Sequence, residues 1–590
     1  MPLVVTREVP QEVAAALEAA GIPRLLARVY AARGVSSTLN LVTEFQHLAA
    51  PDSMLNLRAM ATRLADAIAS RKKLLIVGDY DADGATACAV GMRALRAFGA
   101  SVEFLVPNRF EYGYGLSPEI VQLAHARFRP DILITVDNGI ASLDGVAEAS
   151  RLGMATLITD HHLPGERLPD ATCIINPNQP GCAFPSKHLA GVGVMFYLML
   201  ALRAELRERG AFGPREKEKG EREKKADSPS SLSPHPSSLK SDEPNLADLL
   251  PLVALGTVAD VVPLDQNNRI LVQQGLARIR AGHMQPGIAA MFRVADRDPR
   301  RAAARDLGFV LGPRLNAAGR LTDMALGIEC LVTDDAGRAL AIAGELDRLN
   351  RERREIQSDM QEGALAAVET QDFGDGYTLS LFDPAWHQGV VGIVAGRIKD
   401  RFHRPAIAFA RGGNGEIRGS GRSIPALHLR DALDQVAVRN PGLILKFGGH
   451  AAAAGLTVRE ADFGHFRSAF EETVRRFLTP ADLDRVIETD GPLAPEDYTT
   501  ETVTLLSGPV WGQGFPPPRF CDEFEVAAQR IVGGKHLKLT LARGSRRIEA
   551  IRFSSIDAAP SRIRAVYHPT VNEYNGRTSV QLDIDYWEAA

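Results

Sequence analysis

The sequence has little cysteine, no long apolar run and almost no net charge. Its five cysteines, Cys88, Cys173, Cys182, Cys330 and Cys521, form no CxxC pair and are odd in number. That usage argues against a disulfide framework or a zinc ribbon and fits a reducing cytosol. The N-terminal text MPLVVTREVPQEV lacks a basic-then-apolar signal pattern. The longest apolar run, Val192 to Leu202, is too short to span a bilayer. A cytoplasmic protein is expected. The formal net charge is −4, from 68 Lys+Arg and 72 Asp+Glu. Such a balance neither advertises nor excludes nucleic acid, because local patches decide binding.

What is present is ordinary for a soluble globular protein. The chain is 45% hydrophobic and 24% charged, too apolar for general disorder. At ~150 residues per domain, 590 residues give roughly four domains. Residues 1–55 carry helical patterning and are expected as an N-terminal cap. From about residue 73, apolar runs alternate with helical stretches, which predicts a parallel sheet covered on both faces. Three of these runs end in acidic or imidazole residues: Asp79/Asp81/Asp83, Asp137, and Asp160/His161/His162. Sites in open α/β sheets form at the carboxyl ends of strands.

The stretch 214–244 holds seven basic and seven acidic residues and only two Leu. It cannot bury a core and is expected as a disordered insert. Residues 333–370 lack proline and carry apolar residues at helical spacing, which predicts one long helix bridging domains. A second α/β unit is expected over 371–478. Beyond 479, short strands separated by GGK, RGS and NG suggest a small β-barrel or sandwich. Between Arg530 and Arg577 there are ten Lys/Arg and three Asp/Glu, with Phe553, Tyr567 and Tyr574 interleaved. This basic stretch could hold single strands by phosphate contacts and stacking, or be a solvated surface over core aromatics.

The strongest chemical signal is Asp79-Tyr-Asp81-Ala-Asp83-Gly84. Unpaired, three carboxylates at alternate positions repel one another and raise each other's pKa. A hard cation removes that penalty and uses their oxygens. The alternative is a solvated acidic turn. The string also looks like the start of an EF-hand loop, but the position of the closing Glu is Val90. An Asp ending a strand, as Asp137 does, is often a helix cap; a His pair is often merely exposed; Asp260, in an apolar stretch, could have a local hydrogen-bond partner. Taken together, Asp and His without Cys suit Mn²⁺ or Mg²⁺. Two such ions make a phosphoryl-transfer site.

The strings DYDADG, VDNG, DHH and GTVAD, in this order, resemble the DHH phosphoesterase superfamily. The longer strings PNRFEYGYGL, LAGVGV, LGPRLNAAGR, WHQGVVGIVAGRI, GSGRSI and GGHAAAAG point to its bacterial single-strand-specific exonucleases. The similarity covers roughly residues 20–480. The insert departs from it. The resemblance implies an α/β fold: a DHH catalytic domain over 56–332 and a DHHA1-like substrate-binding domain over 371–478, joined by the long helix of 333–370. An OB-like DNA-binding barrel over 479–590 would follow. It implies 5′→3′ degradation of single-stranded DNA to mononucleotides in repair and recombination.

Carried over by motif, Asp81, Asp83, Asp137, His161 and Asp260 would be metal ligands, with Asp137 the bridge. Asp79 would be a ligand or would orient one. His162 would sit beside the scissile phosphate. Arg109, Arg314 and Arg320 would hold phosphate through bidentate contacts. His387, Ser420, Arg422, Ser423, Gly448, Gly449 and His450 would bind nucleotide. Two divalent ions, Mn²⁺ or Mg²⁺, are the expected cofactors. A single-strand-binding protein and a RecQ-type helicase are the expected partners of a monomer. Two rivals stand beside this reading: a DHH phosphodiesterase of short oligonucleotides or cyclic dinucleotides, and a non-catalytic replication scaffold, which should have lost the metal ligands.

Overall fold

The computed structural model describes residues 2–107, 115–212, 242–370, 375–574 and 577–590. Arg109 and residues 214–241 of the expected insert lie outside the described residues. The chain divides into two compact units. One comprises Val35–Asn350 with Pro509–Pro517; the other comprises Met1–Gly34, Arg351–Gly508 and Pro518–Ala590.

The chain begins with a strand, β1 (Leu3–Thr6), and two short helices, Gln11–Ala19 and Arg24–Ala31. The Val35–Asn350 unit is built on five parallel strands: β2 (Lys73–Gly78), β3 (Ser101–Leu105), β4 (Ile132–Val136), β5 (Ala155–Thr159) and β6 (Cys173–Ile175). Their order is β3-β2-β4-β5-β6. β4 is buried along its whole length, in keeping with its text ILITV, apolar but for Thr135. Leu75, Leu133 and Ile158 pack with Ile120, Val121 and Val146 of helices Pro118–Phe128 and Leu143–Arg151. Strand order reverses between β2 and β4, which makes their carboxyl ends a topological switch point.

The apolar run expected from sequence lies in helix Gly191–Glu208, where Val192 to Met199 are all buried. No described helix is long and apolar enough to cross a membrane. Near the insert, Glu243 pairs with Arg203 at 3.6 Å and with Arg207. The end of the expected disordered stretch is thus held by the folded unit. The predicted long helix runs Ala336–Thr370, its start set by Asp335, whose carboxylate accepts from Gly337 N at 2.7 Å and Arg338 N at 3.0 Å.

In the second unit, β7 (Leu379–Phe382), β8 (Ala406–Arg411), β9 (Glu416–Arg422), β10 (Lys446–Gly449) and β11 (Ala453–Arg459) form a sheet of order β10-β11-β9-β8-β7. Only β7 and β8 are parallel; the other pairings are antiparallel. β12 (Val486–Thr489) pairs in parallel with β1. Arg33 adds a buried ion pair to Asp490 at 2.7 Å. The expected cap over 1–55 is therefore split: its first 34 residues pack with the C-terminal half of the chain. Finally β13 (Phe520–Val532), β14 (His536–Arg543), β15 (Arg546–Arg552), β16 (Arg562–Tyr574) and β17 (Arg577–Ala589) close into a barrel of order β13-β14-β15-β17-β16. Closure gives every strand two neighbours.

A candidate metal centre at the strand ends

β2 ends at Gly78, and the acidic string turns directly into helix Ala82–Ala97. Asp81 is the N-cap, its Oδ1 accepting from Asp83 N at 2.9 Å and Gly84 N at 3.0 Å. The turn is tight enough to need Gly84, where a Cβ would lie 2.6 Å from the Asp79 carbonyl. Asp83 is 1% exposed, and its carboxylate accepts from Gly191 N at 2.6 Å and Val192 N at 2.8 Å, the first turn of the next buried helix. Asp79, 6% exposed, accepts from Tyr80 N at 2.7 Å.

Asp137 follows β4 with φ +61°, in the left-handed region that Asp tolerates better than most residues. Its neighbour Asn138 donates to Val136 O at 2.9 Å and Val77 O at 3.3 Å, stitching the ends of β2 and β4 together. At the end of β5, Asp160 accepts from Ile140 N at 2.9 Å, His161 N at 2.7 Å, His162 N at 3.1 Å and His162 Nδ1 at 2.8 Å. Those bonds occupy both of its oxygens. Asp260 is the C-cap of helix Leu250–Ala259, which is apolar but for Thr257.

These elements bring three carboxylates around one imidazole nitrogen. His161 Nε2 lies 3.0 Å from Asp137 Oδ1, 3.6 Å from Asp260 Oδ2 and 3.8 Å from Asp83 Oδ2. Burial first, then the charge of Asp260, lifts Asp83 to about 7. Burial and Asp81 lift Asp260 to about 7. Burial, with Asp83, Asp81, Asp79 and Asp260 around it, holds Asp137 well above the usual carboxylate range. Burial lowers His161 more than Asp83 raises it. His162 goes the other way: burial opposes its charge, but the Asp160 hydrogen bond and charge outweigh that and raise it to about 9. Asp160 is held low by the same partner, against its burial.

The donor set fits divalent metal. His161 Nε2 and Asp260 Oδ2 are buried and make no hydrogen bond of acceptable geometry among the described residues. Three groups each offer ligand atoms within 4.8 Å of one another: Asp83/His161/Asp260, Asp79/Asp81/Asp137 and Asp137/His161/His162. The first two share no residue and can act at once, with Asp137 beside His161 between them. The third would compete with the His162–Asp160 bond. Oxygen-rich sets with one imidazole and no sulfur suit Mn²⁺ or Mg²⁺.

Other expected residues fall differently. Arg314 is buried, its guanidinium bonded to Asp347 Oδ1 at 2.8 and 3.0 Å and to Val310 O at 2.6 Å. Here the guanidinium expected to hold phosphate is engaged by one carboxylate oxygen and a backbone carbonyl. Arg320 is half-buried in the last turn of helix Gly312–Leu321. Two residues of the same motif that sequence reasoning missed touch the acidic loop. Asn316 Oδ1 accepts from Ala82 N at 2.8 Å, and a Cβ on Gly319 would lie 2.0 Å from the Tyr80 carbonyl. Asp160 was also missed as a residue of its own. Its place between a strand and two histidines was the available signal.

In the second unit, Ser420 and Arg422 lie over the first turn of helix Val391–Phe402. A Cβ on Gly392 would approach Ser420 Oγ to 2.8 Å and Arg422 Nη2 to 3.1 Å. Arg422 also donates to Ser420 Oγ at 3.2 Å. A helix N-terminus, a hydroxyl and a guanidinium are the parts of an anion site. His387, half-buried, accepts from Gly389 N at 3.1 Å through Nδ1, and burial lowers its pKa. Ser423 departs from expectation: its buried hydroxyl donates to Leu427 O at 2.9 Å and shapes a turn. Cross-strand register sets Gly448 beside Gly455, and Gly455 beside Ser420. Gly449, with φ +147°, ends this hairpin strand, and His450 is exposed beyond it.

The barrel's basic stretch is partly matched by acids. Over residues 520–590, ten basic residues face nine acidic ones. Arg543 pairs with Asp522 at 2.9 Å, Lys538 with Glu549 at 3.3 Å, Arg562 with Glu523 at 3.3 Å and Arg564 with Glu588 at 3.3 Å. Tyr567 is fully buried, bonded to Asp522 at 2.7 Å and to Tyr498 at 2.7 Å. The Tyr574 side chain lies outside the described residues. Phe553 alone among the three is described as exposed, at 52%, against the His536 ring at 5.2 Å.

The chain matches the DHH family N-terminal domain over residues 73–223, the DHHA1 domain over 374–476 and the RecJ OB domain over 489–586. It is 48% identical over 582 residues to the single-stranded-DNA-specific exonuclease RecJ of Dickeya dadantii, covering 96% of each chain. It is 48% identical over 581 residues to that of Escherichia coli, again covering 96% of each. Among solved structures, RecJ from Thermus thermophilus in complex with Mn²⁺ matches with TM-score 0.78 and 28% identity, over 100% of this chain and 79% of that one. Its Mg²⁺ complex matches with TM-score 0.74 and 27% identity, over 100% and 78%.

Proposed function

The chain belongs to the RecJ family of the DHH phosphoesterase superfamily, and on that footing we propose that it is a metal-dependent exonuclease that degrades single-stranded DNA from the 5′ end to mononucleotides, in repair and recombination. One observation carries the reading: three carboxylates, Asp83 from the first turn of helix Ala82–Ala97, Asp137 from the end of β4 and Asp260 from the end of helix Leu250–Ala259, converge within 3.0–3.8 Å of His161 Nε2. Asp83, His161 and Asp260 would hold one ion and Asp79, Asp81 and Asp137 the other, with Asp137 the choice for a ligand serving both. When bound, the two divalent ions supply the Lewis acidity that neutralises phosphate charge and makes water a nucleophile at neutral pH.

The protein's own groups do the rest. The buried loops fix the carboxylates before substrate arrives, so little reorganisation is needed at reaction. Asp160 orients His162 through Nδ1 and keeps it cationic, leaving Nε2 to face a phosphate oxygen. Ser420, Arg422 and the first turn of helix Val391–Phe402 take the terminal 5′-phosphate, which sets polarity. His387, Gly448, Gly449 and His450 complete the nucleotide contacts, with Arg109 and Arg320 as further phosphate cations. The barrel holds the trailing strand by stacking on exposed Phe553 and by exposed Arg530 and Lys535. Catalysis belongs to 56–332, substrate binding to 371–478 and strand binding to 479–590. A cytoplasmic monomer, working with a single-strand-binding protein and a RecQ-type helicase, completes the proposal.

The test is digestion of 5′-phosphorylated single-stranded DNA labelled separately at each end, with Mn²⁺, Mg²⁺ or chelator, beside Asp137→Ala and a duplex control. The expected result is 5′-mononucleotide released from the 5′ end, dependent on metal and on Asp137. Survival of long strands with cleavage of dinucleotides or cyclic dinucleotides would move the assignment to the small-substrate phosphodiesterases. Binding without cleavage would make the chain a scaffold.

A further inference from the structure

Asp260 is presented by an unusual turn. Val261, immediately after it, has φ +63° and is 62% exposed. A left-handed residue after a helix end is normally Gly or Asn. A β-branched side chain there is strained, and such strain persists only where the surroundings over-determine the backbone. The residues just beyond, Pro263 and Leu264, are met by a segment from far along the chain. Pro509–Pro517, which in sequence lies between helix Thr500–Ser507 and β13, packs with the Val35–Asn350 unit. Leu264 N donates to Gln513 O at 2.7 Å. A Cβ on Gly512 would come within 2.6 Å of Leu264 Cδ1, and one on Gly514, itself at φ +70°, within 3.1 Å of Pro263 Cβ. Phe515 is buried under the Arg269 guanidinium, 4.3 Å from its ring centroid, with Trp511 stacked on it at 5.1 Å and 18°. Arg269 in turn donates to Leu264 O at 2.6 Å. The segment therefore grips the loop by one backbone bond, two glycine contacts and an aromatic pair under a cation.

We propose that Pro509–Pro517 is a positioning strap: by clamping Pro263–Leu264 it holds the strained Val261 turn and thereby aims Asp260 at its metal. The inference rests on the metal reading above and adds to it residues outside the DHH domain. Trp511, Gly512 and Phe515 are positioning residues that act through the loop and touch neither metal nor substrate. Their loss weakens the ion set that contains Asp260 and spares the set of Asp79, Asp81 and Asp137.

The test is Mn²⁺ titration of the full-length protein by calorimetry and by electron paramagnetic resonance. Phe515→Ala, Trp511→Ala and Gly512→Ala are compared with the parent, with Asp137→Ala and with the conservative Trp511→Phe. Thermal unfolding in chelator confirms that each variant folds, and binding of single-stranded DNA in chelator is measured alongside. Removing a group that supports a metal ligand typically costs 10–100-fold in affinity. The expected result is about a tenfold loss at one of two Mn²⁺ sites, no change at the other, unchanged DNA binding, and parental affinity in Trp511→Phe. Both affinities within twofold of the parent in all three alanine variants, or equal weakening of both sites, would overturn the strap. So would DNA binding lost while metal affinity holds, which would make Trp511 or Phe515 a base contact. A parent that binds Mn²⁺ no better than Asp137→Ala would overturn the metal reading itself and the strap with it.

Discussion

The strand ends and the barrel use charge in opposite ways. Around His161 the protein gathers like charges and buries them; in the barrel it sets opposite charges across neighbouring strands. Asp522 shows the second logic: 6% exposed, it is bonded to Tyr567, Tyr498, Leu493 N and Arg543. Asp83 and Asp260 show the first: burial and then the charge of other carboxylates push both up to about 7, whereas burial raises Asp522 against hydrogen bonds and an arginine that favour its charge. Charge matched within the chain is structure. Charge left in conflict inside a folded protein is a statement about something the chain does not itself supply.

The sharpest way to break the comparison is to remove one carboxylate from each region. Asp137→Asn keeps shape and removes a metal bridge. Turnover of single-stranded DNA is expected to fall at least ~10³-fold, since metal contributes several kcal/mol of transition-state stabilisation. Stability in chelator should not fall, because a repulsion is relieved. Asp522→Asn should do the reverse, costing about 2 kcal/mol of stability and little turnover per folded molecule. That is below the ~3–5 kcal/mol of a fully buried pair, because the Arg543 side chain stays 29% exposed. Denaturant melts and single-turnover digestion on both variants decide it. Equal stability losses would erase the distinction.

A second expectation concerns pH. Asp83 and Asp260 titrate near 7 in the folded, metal-free protein and near 4 in the unfolded chain. Between pH 4 and 7 the folded state holds more protons, so its stability falls as pH rises through that window and is lowest above it. Metal requires the deprotonated carboxylates, so its binding competes with these protons. The rise in melting temperature on adding Mn²⁺ should therefore be small at pH 5.5 and several-fold larger at pH 8. A metal-induced rise that is flat over this range would show that the cluster carries no such conflict.

The two regions were also unequally legible. The cluster could be read because carboxylates after apolar runs are visible residue by residue, and parallel strands carry their ends to one edge. Asp79, Asp81, Asp83, Asp137, His161 and Asp260 meet at such ends. The barrel's strands could be read too, but its charge could not. The window Arg530–Arg577 left out Asp522, Glu523 and Glu588, and antiparallel pairing places these acids beside its arginines. The Arg314 ion pair is hidden for the same reason: its partner Asp347 sits on the long helix, 33 residues on. The pairing of β1 with β12 and the docking of Pro509–Pro517 are contacts between distant segments, for which periodicity carries no signal.

Asp160 tests the comparison from inside the cluster. It stands among the frustrated carboxylates yet is satisfied as Asp522 is, accepting from Ile140, His161 and His162. By the argument above it should orient rather than bind metal. Asp160→Asn keeps one acceptor but loses the charge that holds His162 at about 9. His162 then releases its proton at lower pH, so the alkaline fall of turnover should move toward neutrality. A 10–100-fold loss of turnover is expected, the usual cost of removing an orienting partner, with Mn²⁺ affinity within a few-fold of the parent. Loss of metal binding as deep as that of Asp137→Ala would instead make Asp160 a ligand, and a satisfied hydrogen-bond count would no longer separate structure from site.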